Sequence, residues 1–543
     1  MIFMSSSKSN VKKNKYSFLL YLKTIRFLKL SQLFYNVYYR LKKASLPKML
    51  TLIEVASLSR KCDFVKSSKS LIQENRFRFL NVENTLNFPS DWNNAQLGKL
   101  WLYNLHYFDY LRQENISRED GEKLILRWIA ENPIGKGNGW EPYTISLRIV
   151  NWIKWHLSGN PLSIEVLQSL ANQAKFLEQK IERHLLANHY LANAKAFVFA
   201  GIFFEGDDAK RWLKIGTDIY KEELEEQILQ DGGHFERSAM YHSIILEDLL
   251  DLANIGAEIS GLNQKIQKML EWLVAMTTPD GKIPLLNDCA LGIAPSPNQI
   301  FSYAKNLGFN FSEDNTNSID LADTGYAKLV AGDWTAICDA GNIGPDYQPG
   351  HAHADTLTFE LWHKDFKLIT DSGTGEYIDT PLRKYQRSTL AHNTIQIDGK
   401  NSSEVWSAHR VANRAKIVER KFSGNKVSAT HNGYGKILHK RTWNISDDGL
   451  SIDDEIKGNG KHLVEILWHV LGENISINKQ MNRIEISANN TRYFITYPQG
   501  WNVEIQKVKY SAEFGKAEDI DMINLSNIVV LPTTFSSQIG LLK

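Results

Sequence analysis

The stretch from His351 to Asp371 concentrates side chains that bind metals or move protons. His351, His353 and Asp355 alternate along the chain, and Asp371 stands at the end of the next predicted strand. Residues two apart in a β-strand point to one face, so the first three are expected to share a face. His392 opens a further predicted strand. Two histidines and an aspartate from neighbouring strands form a ligand set that zinc accepts, which favours a metal site over a strand pair with structural histidines.

A second polar patch, ANHYLANA, interrupts an apolar helical run. It holds Asn188, His189 and Asn193. Asparagine is a poor helix former, and an adjacent Asn-His pair without an acidic neighbour is a weak structural device. The pair is therefore either functional or part of a hydrogen-bonded helix interior.

The segment DGGHFERSAMYHS joins a Gly-Gly turn to the start of a helix. The first turns of this helix carry Glu236, Arg237, Tyr241 and His242. Glycines mark the turn, and the polar residues after it would face whatever the turn faces. Tyr241 is then either a functional hydroxyl or an aromatic residue of the core.

A fourth segment, WEPYTISLRIVNW, begins another predicted helix. It carries Trp140, Glu141, Tyr143 and Arg148. These residues are expected either to line a substrate groove or to stabilise the loop before the helix. Tryptophan and tyrosine stack on sugar rings, but they also fill large cores.

The elements that must position these patches change type along the chain. From about residue 95 to 310, apolar residues recur at spacings of three and four, which predicts successive helical hairpins in a helical array or toroid. From about Asp323, apolar and polar residues alternate between Gly, Asn and Asp turns, which predicts an antiparallel β-sandwich. We therefore expect a multidomain α+β protein with a lead-in over 1–94, a toroid over 95–320 and a β-sandwich over 321–543. A tight interface between the two domains is a common place for a cleft.

Composition excludes several classes of protein. The chain has 543 residues, of which 43% are hydrophobic and 23% charged, as in globular multidomain proteins. Its net charge of +2 gives no field that would favour nucleic acid. The cysteines Cys62, Cys289 and Cys338 lie far apart, which argues against a disulfide framework or a cysteine-rich zinc site.

The N-terminus is basic. Eleven Lys and Arg residues precede Glu54, the first acidic residue. The segment YLKTIRFLKLSQLFYNVYYRL predicts a basic amphipathic helix, which either lies on an anionic membrane surface or packs on the body of the protein. Lys23 and Arg26 interrupt the apolar runs, so we expect neither a cleavable signal peptide nor a membrane span.

Taken together, the motifs resemble those of the heparinase II/III family of polysaccharide lyases, which is related to the alginate and oligoalginate lyases. They occur in family order over roughly residues 100 to 400. The motifs are WEPYTISLRIVNW, NHYLAN, DGGHFERSAMYH, HAHADTLTFEL, DSGTGEY and RSTLAHNTIQIDG.

The resemblance implies an (α/α) toroid followed by an antiparallel β-sandwich, and cleavage of uronic-acid glycosides by β-elimination. Asn188 and His189 match the pair that neutralises the substrate carboxylate. Tyr241 matches the tyrosine that donates to the leaving oxygen and, for one epimer, acts as base. A tyrosine needs activation for the second role, because its ordinary pKa is about 10. His351 matches a candidate base.

The resemblance also implies a zinc ion with a structural or site-organising role, held by His353, Asp371 and His392. Arg383 and Arg387 are expected to grip a carboxylate or sulfate of the substrate. The same expectation of substrate contact extends to the toroid residues of the other motifs. These are Trp140, Glu141, Tyr143, Arg148 and Glu236.

The chain departs from secreted, degradative members of the family because it shows no cleavable signal. Relatives of this layout occur in bacterial gene sets for capsule or exopolysaccharide assembly. We therefore expect an acidic surface polysaccharide or oligosaccharide as substrate. The expected location is the bacterial cell envelope, either in the periplasm or in the cytoplasm with peripheral contact to the inner membrane through the basic helix.

Two other functions remain open. One is a glycoside hydrolase on a helical toroid, with Glu141, Asp231 and Glu236 as candidate carboxylates. The other is a non-catalytic glycan-binding protein of polysaccharide assembly. Ultraviolet absorbance of an unsaturated uronyl product distinguishes the lyase from both.

Overall fold

The computed structural model describes residues 16–42, 54–56 and 61–542. Part of the predicted lead-in over 1–94 therefore lies outside the described residues. The same holds for six of the eleven basic residues that precede Glu54, which are Lys8, Lys12, Lys13, Lys15, Lys43 and Lys48.

Helices dominate the chain between residues 99 and 306. The α-helices of the described residues are α1 (Phe18–Ile25), α2 (Leu30–Leu41), α3 (Lys99–Tyr107), α4 (Arg118–Glu131), α5 (Pro142–Leu157), α6 (Ile164–Leu177), α7 (Ala187–Phe203), α8 (Asp207–Gln227), α9 (Ala239–Asn254), α10 (Leu262–Met276), α11 (Pro297–Asn306) and α12 (Pro381–Gln386).

The helices α3 to α11 form two layers. Helix α7 buries 14 of its 17 residues, whereas α8 buries only 8 of 21 along one face. A helix that is buried all round belongs to the interior, and an amphipathic helix covers it. Helices α5, α7 and α9 pack on one another as the inner layer, and α6, α8 and α10 pack outside them. Gly201 and Gly216 let α7 and α8 approach closely, because a Cβ at Gly201 would lie 2.5 Å from the backbone nitrogen of Leu213.

Strands dominate the chain from residue 319 onward. The strands of the described residues are β1 (Leu71–Gln73), β2 (Arg76–Phe79), β3 (Val82–Thr85), β4 (Ile319–Leu321), β5 (Tyr326–Ala331), β6 (Trp334–Asp339), β7 (Phe359–His363), β8 (Phe366–Ile369), β9 (Ile395–Ile397), β10 (Val405–Trp406), β11 (Arg410–Val411), β12 (Ile417–Ser423), β13 (Lys426–Tyr434), β14 (Ile437–Ser446), β15 (Gly449–Val470), β16 (Asn474–Asn478), β17 (Arg483–Ala488), β18 (Thr491–Thr496), β19 (Asn502–Tyr510) and β20 (Glu518–Leu541).

Two long strands build the sandwich. The first part of β15 pairs with β14 and with the end of β20, and its second part pairs with β8, β9 and the start of β20. The register shifts between Ile456 and Gly460, where the strand passes from one layer to the other. Strand β14 packs across the core on β5 and β6. The predicted order, a helical toroid followed by an antiparallel β-sandwich, is confirmed.

The prediction of a strand over residues 351–355 is wrong. Strand β6 ends at Asp339 and β7 begins at Phe359, so the histidine pair lies in the loop between them. This loop has no strand partner, because its backbone bonds to the toroid side: Asp288 N donates to His351 O, and His353 N donates to the side chain of Asn287. The alternation of residue types therefore does not put His351, His353 and Asp355 on one face of a strand.

The N-terminal helices pack on both domains through one side. Trp406 contacts the ring of Tyr21 at 4.8 Å, and its Nε1 donates to Thr24 at 3.1 Å. Further along, the Tyr39 hydroxyl donates to the backbone oxygen of Ile181 at 2.6 Å, which ties α2 to the toroid. In the residues that the structure describes, no helix is both long and apolar enough to cross a bilayer.

Candidate active site

A cavity of about 280 Å³ lies where the inner helices of the toroid meet the loops of the β-sandwich. Helices α5, α7 and α9 contribute one wall, and the β6–β7 loop contributes the opposite wall. Six of the residues singled out in the sequence line this cavity. They are Tyr143, Asn188, His189, Glu236, Tyr241 and His351.

Asn188 and His189 occupy the first turn of α7. The chain enters this helix through two residues with positive φ, Leu186 and Ala187, and the side chain of Leu186, the N-cap residue, makes no hydrogen bond to the helix. Glu236 takes that role, because its Oε1 accepts from the backbone nitrogen of Asn188 at 3.1 Å. The positive end of the helix dipole favours an anion in the cavity.

His189 is held in a fixed orientation. Its Nδ1 lies 3.1 Å from a carboxylate oxygen of Glu182, and its ring packs on Tyr143 with centroids 4.5 Å apart. A carboxylate only accepts hydrogen bonds, so Nδ1 carries a proton. Glu182 also binds the side chain of Asn193, which is fully buried and structural.

Tyr241 and His351 form a stacked pair across the domain boundary. Their ring centroids lie 3.9 Å apart, and the Tyr241 hydroxyl lies 3.2 Å from the hydroxyl of Tyr377. Burial, together with the neighbouring Tyr377, raises the pKa of Tyr241 well above its ordinary value. Tyr241 therefore remains protonated at neutral pH and can donate a proton.

His351 lies between two carboxylates. Its Nδ1 is 2.9 Å from Asp288 Oδ2, and its Nε2 is 3.3 Å from Glu236 Oε2. Burial raises the pKa of Glu236, although His351 opposes this shift. The histidine ring is thus oriented by two acidic groups and stacked on the Tyr241 ring, which is an arrangement suited to proton transfer.

Asp288 is the residue that sequence reasoning missed and on which this network depends. Its carboxylate accepts from Nε2 of His353 at 2.8 Å, from Nδ1 of His351 and from both terminal nitrogens of Arg383. Burial alone would raise the pKa of Asp288, but the charge of Arg383 and the two histidine hydrogen bonds hold it well below the usual range. Asp288 follows Asn287 in PLLNDCALG, and no pattern of residue types marks it there.

The predicted metal ligands lie together behind this network. The rings of His353 and His392 have centroids 5.3 Å apart, and Nδ1 of His392 lies 2.7 Å from Asp371 Oδ2. Nδ1 of His353, Nε2 of His392 and Oδ2 of Asp355 are buried without a hydrogen-bond partner. Buried polar atoms without partners are rare, and imidazole and carboxylate groups are the donors that zinc takes, so His353, His392 and Asp355 offer free donor atoms to a zinc ion. Each oxygen of Asp371 accepts one hydrogen bond, from His392 Nδ1 or from the backbone nitrogen of Gly373, and keeps a second lone pair.

A second cluster of possible ligands, formed by Asp288, His351 and His409, fits a cation less well. Both oxygens of Asp288 already accept hydrogen bonds, and two of these come from the guanidinium of Arg383. A metal ion there would compete with a buried positive charge for the same lone pairs. His409 instead belongs to the cavity wall.

The structure corrects the expected substrate contacts of the two β-domain arginines. Arg383 is fully buried and binds Asp288 and the backbone oxygen of Ala408. Arg387 is 1% exposed and donates hydrogen bonds to backbone oxygens, including that of Ala352. Because both side chains are buried and donate to groups inside the protein, both arginines hold loops around the cavity.

Three toroid residues expected at the substrate also lie elsewhere. Arg148 is fully buried, packs 3.8 Å over the Trp128 ring and donates to Gln173. Trp140 is buried and donates to a backbone oxygen. Glu141 binds the Tyr103 hydroxyl near the cavity without lining it. The positions of Trp140 and Arg148 agree with the alternative prediction, in which these residues stabilise the structure and do not line a substrate groove.

The cavity contains further residues that no motif singled out. Tyr377 closes the DSGTGEY motif, but the motif predicts no role for it. His409 is an isolated histidine in the sequence. Lys154 and Lys195 carry positive charge at the toroid side of the cavity. These residues come from distant parts of the chain, so only the fold brings them together.

A helical toroid joined to an antiparallel β-sandwich, with a polar cavity at their junction, defines the structural class of this protein. Residues 124–314 match the family model described as heparinase II/III N-terminus, and residues 313–534 match the one described as heparinase II/III-like, C-terminal. The chain belongs to the heparinase II/III family.

Curated relatives and solved structures agree with this assignment. A heparin-sulfate lyase of Pedobacter heparinus is 24% identical over 425 residues, which cover 70% of this chain and 61% of that protein. A heparin-sulfate lyase of Bacteroides stercoris is 25% identical over 352 residues, covering 59% of this chain and 50% of that protein. The chain therefore spans between half and two thirds of the length of these relatives.

The fold is similar to that of a heparinase III crystal structure. The TM-score is 0.72 at 17% identity, over 94% of this chain and 89% of that one. A chondroitin AC lyase of Streptomyces coelicolor A3, solved with chondroitin sulphate, has a TM-score of 0.52 at 10% identity, over 82% of this chain and 75% of that one.

Proposed function

We propose that this protein is a polysaccharide lyase that cleaves a uronic-acid-containing glycan by β-elimination. One observation carries the proposal: the Asn188–His189 pair, the Tyr241 hydroxyl and the His351 ring line one cavity at the junction of the two domains. β-Elimination requires a carboxylate to be neutralised, a proton to be removed from the carbon beside it, and the departing oxygen to be protonated. The cavity offers a group for each requirement.

Asn188 and His189 are the residues that we assign to the substrate carboxylate. Both lie at the start of α7, where the helix dipole adds to their effect. His189 donates from Nδ1 to Glu182, and donation to the substrate carboxylate from Nε2 requires that this second nitrogen also carries a proton. Withdrawal of charge from the carboxylate makes the adjacent proton acidic and stabilises the enolate that forms when it leaves.

His351 is the base in this proposal, and Tyr241 is the acid. Asp288 accepts from Nδ1 of His351, so Nε2 carries the lone pair that takes the proton from carbon once the substrate displaces its 3.3 Å contact with Glu236 Oε2. The electron pair of that C–H bond forms the new double bond as the glycosidic C–O bond breaks. Tyr241 then gives its hydroxyl proton to the departing oxygen, a role that its raised pKa supports.

The hydrolase alternative is weakened by where its carboxylates lie. Asp231 accepts from the backbone nitrogen and the hydroxyl of Thr324, and neither Asp231 nor Glu141 lines the cavity. Of the three candidate carboxylates, only Glu236 does. Hydrolysis needs two carboxyl groups that flank the scissile bond.

The Tyr241→Phe variant tests the proposal. We expect the variant to lose about 10²- to 10⁴-fold in turnover, because proton transfer by one positioned side chain contributes this much. Glycan binding should remain, since the ring stays stacked on His351. The measurement is ultraviolet absorbance of unsaturated uronyl products from a panel of uronic-acid polymers that includes heparan sulfate, alginate and the host's own surface polysaccharide.

Tyr385→Phe is the matched control. This tyrosine is outside the cavity wall and bonds to His469, so its variant should keep wild-type turnover. Wild-type activity in Tyr241→Phe would refute the assigned role. New reducing ends without the unsaturated product would show a hydrolase, and binding without any turnover would show a glycan-binding protein.

We also propose that His353, Asp371 and His392 hold a zinc ion, which would fix the β-domain wall of the cavity from behind. The unpartnered buried nitrogens of the two histidines support this. Elemental analysis should find about one zinc ion per chain, the number that one such ligand set holds. The metal should be absent from His353→Ala and retained in His462→Ala, whose partly exposed histidine binds Asp398. A metal-free and fully active preparation would contradict the proposal.

The substrate that we propose is an acidic polysaccharide or oligosaccharide of a bacterial surface, cleaved at the cell envelope. The relatives named heparin-sulfate lyase support an acidic glycan. The first turn of α7, which favours an anion, supports it independently. The polymer panel decides among candidates, because the best substrate is the one with the highest kcat/KM.

A further inference from the structure

The outer side of the N-terminal helices carries an apolar surface. Six large hydrophobic side chains of α1 and α2 are more than half exposed, and we call this set the N-terminal stripe. Among the described residues, the other large hydrophobic side chains exposed to this degree are scattered between residues 164 and 530. The stripe consists of Phe18 (75% exposed), Leu19 (56%), Leu30 (83%), Phe34 (62%), Val37 (57%) and Leu41 (79%).

The stripe cannot turn inward, because the opposite side of both helices is anchored. Tyr21 and Thr24 hold α1 against Trp406 of the β-sandwich. Gln32 is buried under α2, and Tyr39 binds the toroid backbone. A concentration of exposed apolar side chains on a fixed surface is a mark of an interaction site.

The charge of the same segment indicates what covers it. Of the 63 Lys and Arg residues of the chain, 11 precede Glu54, whereas all 61 acidic residues lie at or after that position. An apolar surface without charge would be explained by a protein partner. Lys23 and Lys29 form ion pairs with Glu404 and Glu226, but the segment itself contributes no acidic residue. A segment with exposed apolar side chains and this excess of basic residues matches an anionic lipid surface, which offers both hydrocarbon and negative headgroups.

We propose that α1 and α2 dock the protein on the surface of an anionic lipid bilayer, with the N-terminal stripe inserted among the lipids. The docked helices lie in the interface plane and do not cross it. This surface is separate from the cavity residues, so the inference stands or falls independently of the lyase proposal.

Docking would bring the cavity close to the membrane. Nζ of Lys29 lies 4.1 Å over the Tyr347 ring, and the Gln32 side chain donates to the Tyr347 backbone oxygen at 3.4 Å. The next residue, Gln348, lines the cavity. Because a helix with its side chains is about 10 Å across, a bilayer on the outer side of α2 would lie roughly that far from the cavity wall. The protein would then meet glycan at the membrane surface.

Vesicle flotation of the full chain tests the proposal. The probe is vesicles of phosphatidylcholine with about 30% phosphatidylglycerol, compared with pure phosphatidylcholine vesicles. We expect the wild type to float with the anionic vesicles, to bind the neutral ones at least about tenfold more weakly, and to be released by salt. The double variant Leu30→Glu and Phe34→Glu should lose at least about tenfold in binding to the anionic vesicles.

Ile528→Glu with Val530→Glu is the matched control, because these residues of β20 are 68% and 61% exposed. It should float like the wild type. Equal thermal melting of the three proteins would show that folding is not the cause of a loss. Wild-type protein that stays unbound at low salt, binds neutral vesicles equally well, or forms a dimer that the Leu30 and Phe34 changes dissociate would overturn the proposal.

Discussion

At the scale of single residues, Asp288 connects the toroid side of the cavity to the β-domain side. Its carboxylate lies in the toroid-side loop, while His351, His353 and Arg383 approach it from the β-domain. A buried carboxylate is stable only when it is paired and hydrogen-bonded, and the guanidinium of Arg383 supplies the opposite charge. Asp288 thereby positions His351, the proposed base, while His353 remains available to a metal through its other ring nitrogen.

Removal of this carboxylate charge should cost stability. Asp288→Asn leaves Arg383 buried without its partner, and breaking a buried pair on one side costs about 3–5 kcal/mol. Denaturant unfolding at neutral pH measures the loss. Asp333→Asn, at an exposed position, should change stability by no more than about 0.5 kcal/mol. An equal loss in both variants would contradict the role of the network.

The pH dependence of this contribution has a definite sign. The pKa of Asp288 is held below its ordinary value in the folded protein. The carboxylate therefore contributes its full stability above the ordinary aspartate pKa, and this contribution is lost as pH falls through the lower folded value. The difference in stability between the wild type and Asp288→Asn should thus persist through mildly acidic pH and shrink only in strong acid.

At the scale of elements, a charge cluster ties the inner helices of the toroid together. Lys154 of α5 and Lys195 of α7 both bind Asp251 of α9, and Lys195 also binds Asp248. Burial lowers the pKa of Lys154, and Asp251 only partly offsets this shift. A buried ammonium group needs such a partner, so the cluster fixes how the three helices meet below the cavity.

Asp251→Asn should therefore destabilise the toroid. Two buried lysines would lose the charge that they share, and the expected cost is about 3–5 kcal/mol. Thermal and denaturant unfolding provide the measurement. Asp218→Asn on the exposed face of α8 breaks only a surface pair with Lys214 and should cost less than about 1 kcal/mol. A neutral effect of Asp251→Asn would show that water reaches the cluster.

At the scale of the whole molecule, the cavity exists only because the two domains meet. The β2–β3 turn of the lead-in touches the β-domain, where the Asn81 side chain donates to the backbone oxygen of Phe514 at 2.9 Å. On another side, the Gln348 side chain donates to the backbone oxygen of Leu185 at 3.1 Å. The N-terminal helices add a third link between the domains. Cavity residues from both domains are thus held in register by contacts around the rim.

Part of this arrangement could be predicted from the sequence. The helical period up to residue 310 and the alternation after it predict the order of the two domains, because each period is a local property of the chain. The segments that carry Asn188, His189, Tyr241 and His351 are recognisable as motifs for the same reason. The conformation of HAHAD was not predictable, since its backbone partners lie at Asn287 and Asp288, more than sixty residues away.

The sequence by itself determined the fold class, the family motifs and the residue types available for proton transfer. Tertiary structure alone decided which of those residues meet. It placed Arg148, Arg383 and Arg387 in the interior, because buried guanidinium groups find their partners in distant segments. It also turned the apolar side chains of α1 and α2 outward, since the anchoring contacts come from Trp406 and the toroid. Local pattern sets what a segment can form, and packing between remote segments decides which side chains reach the cavity.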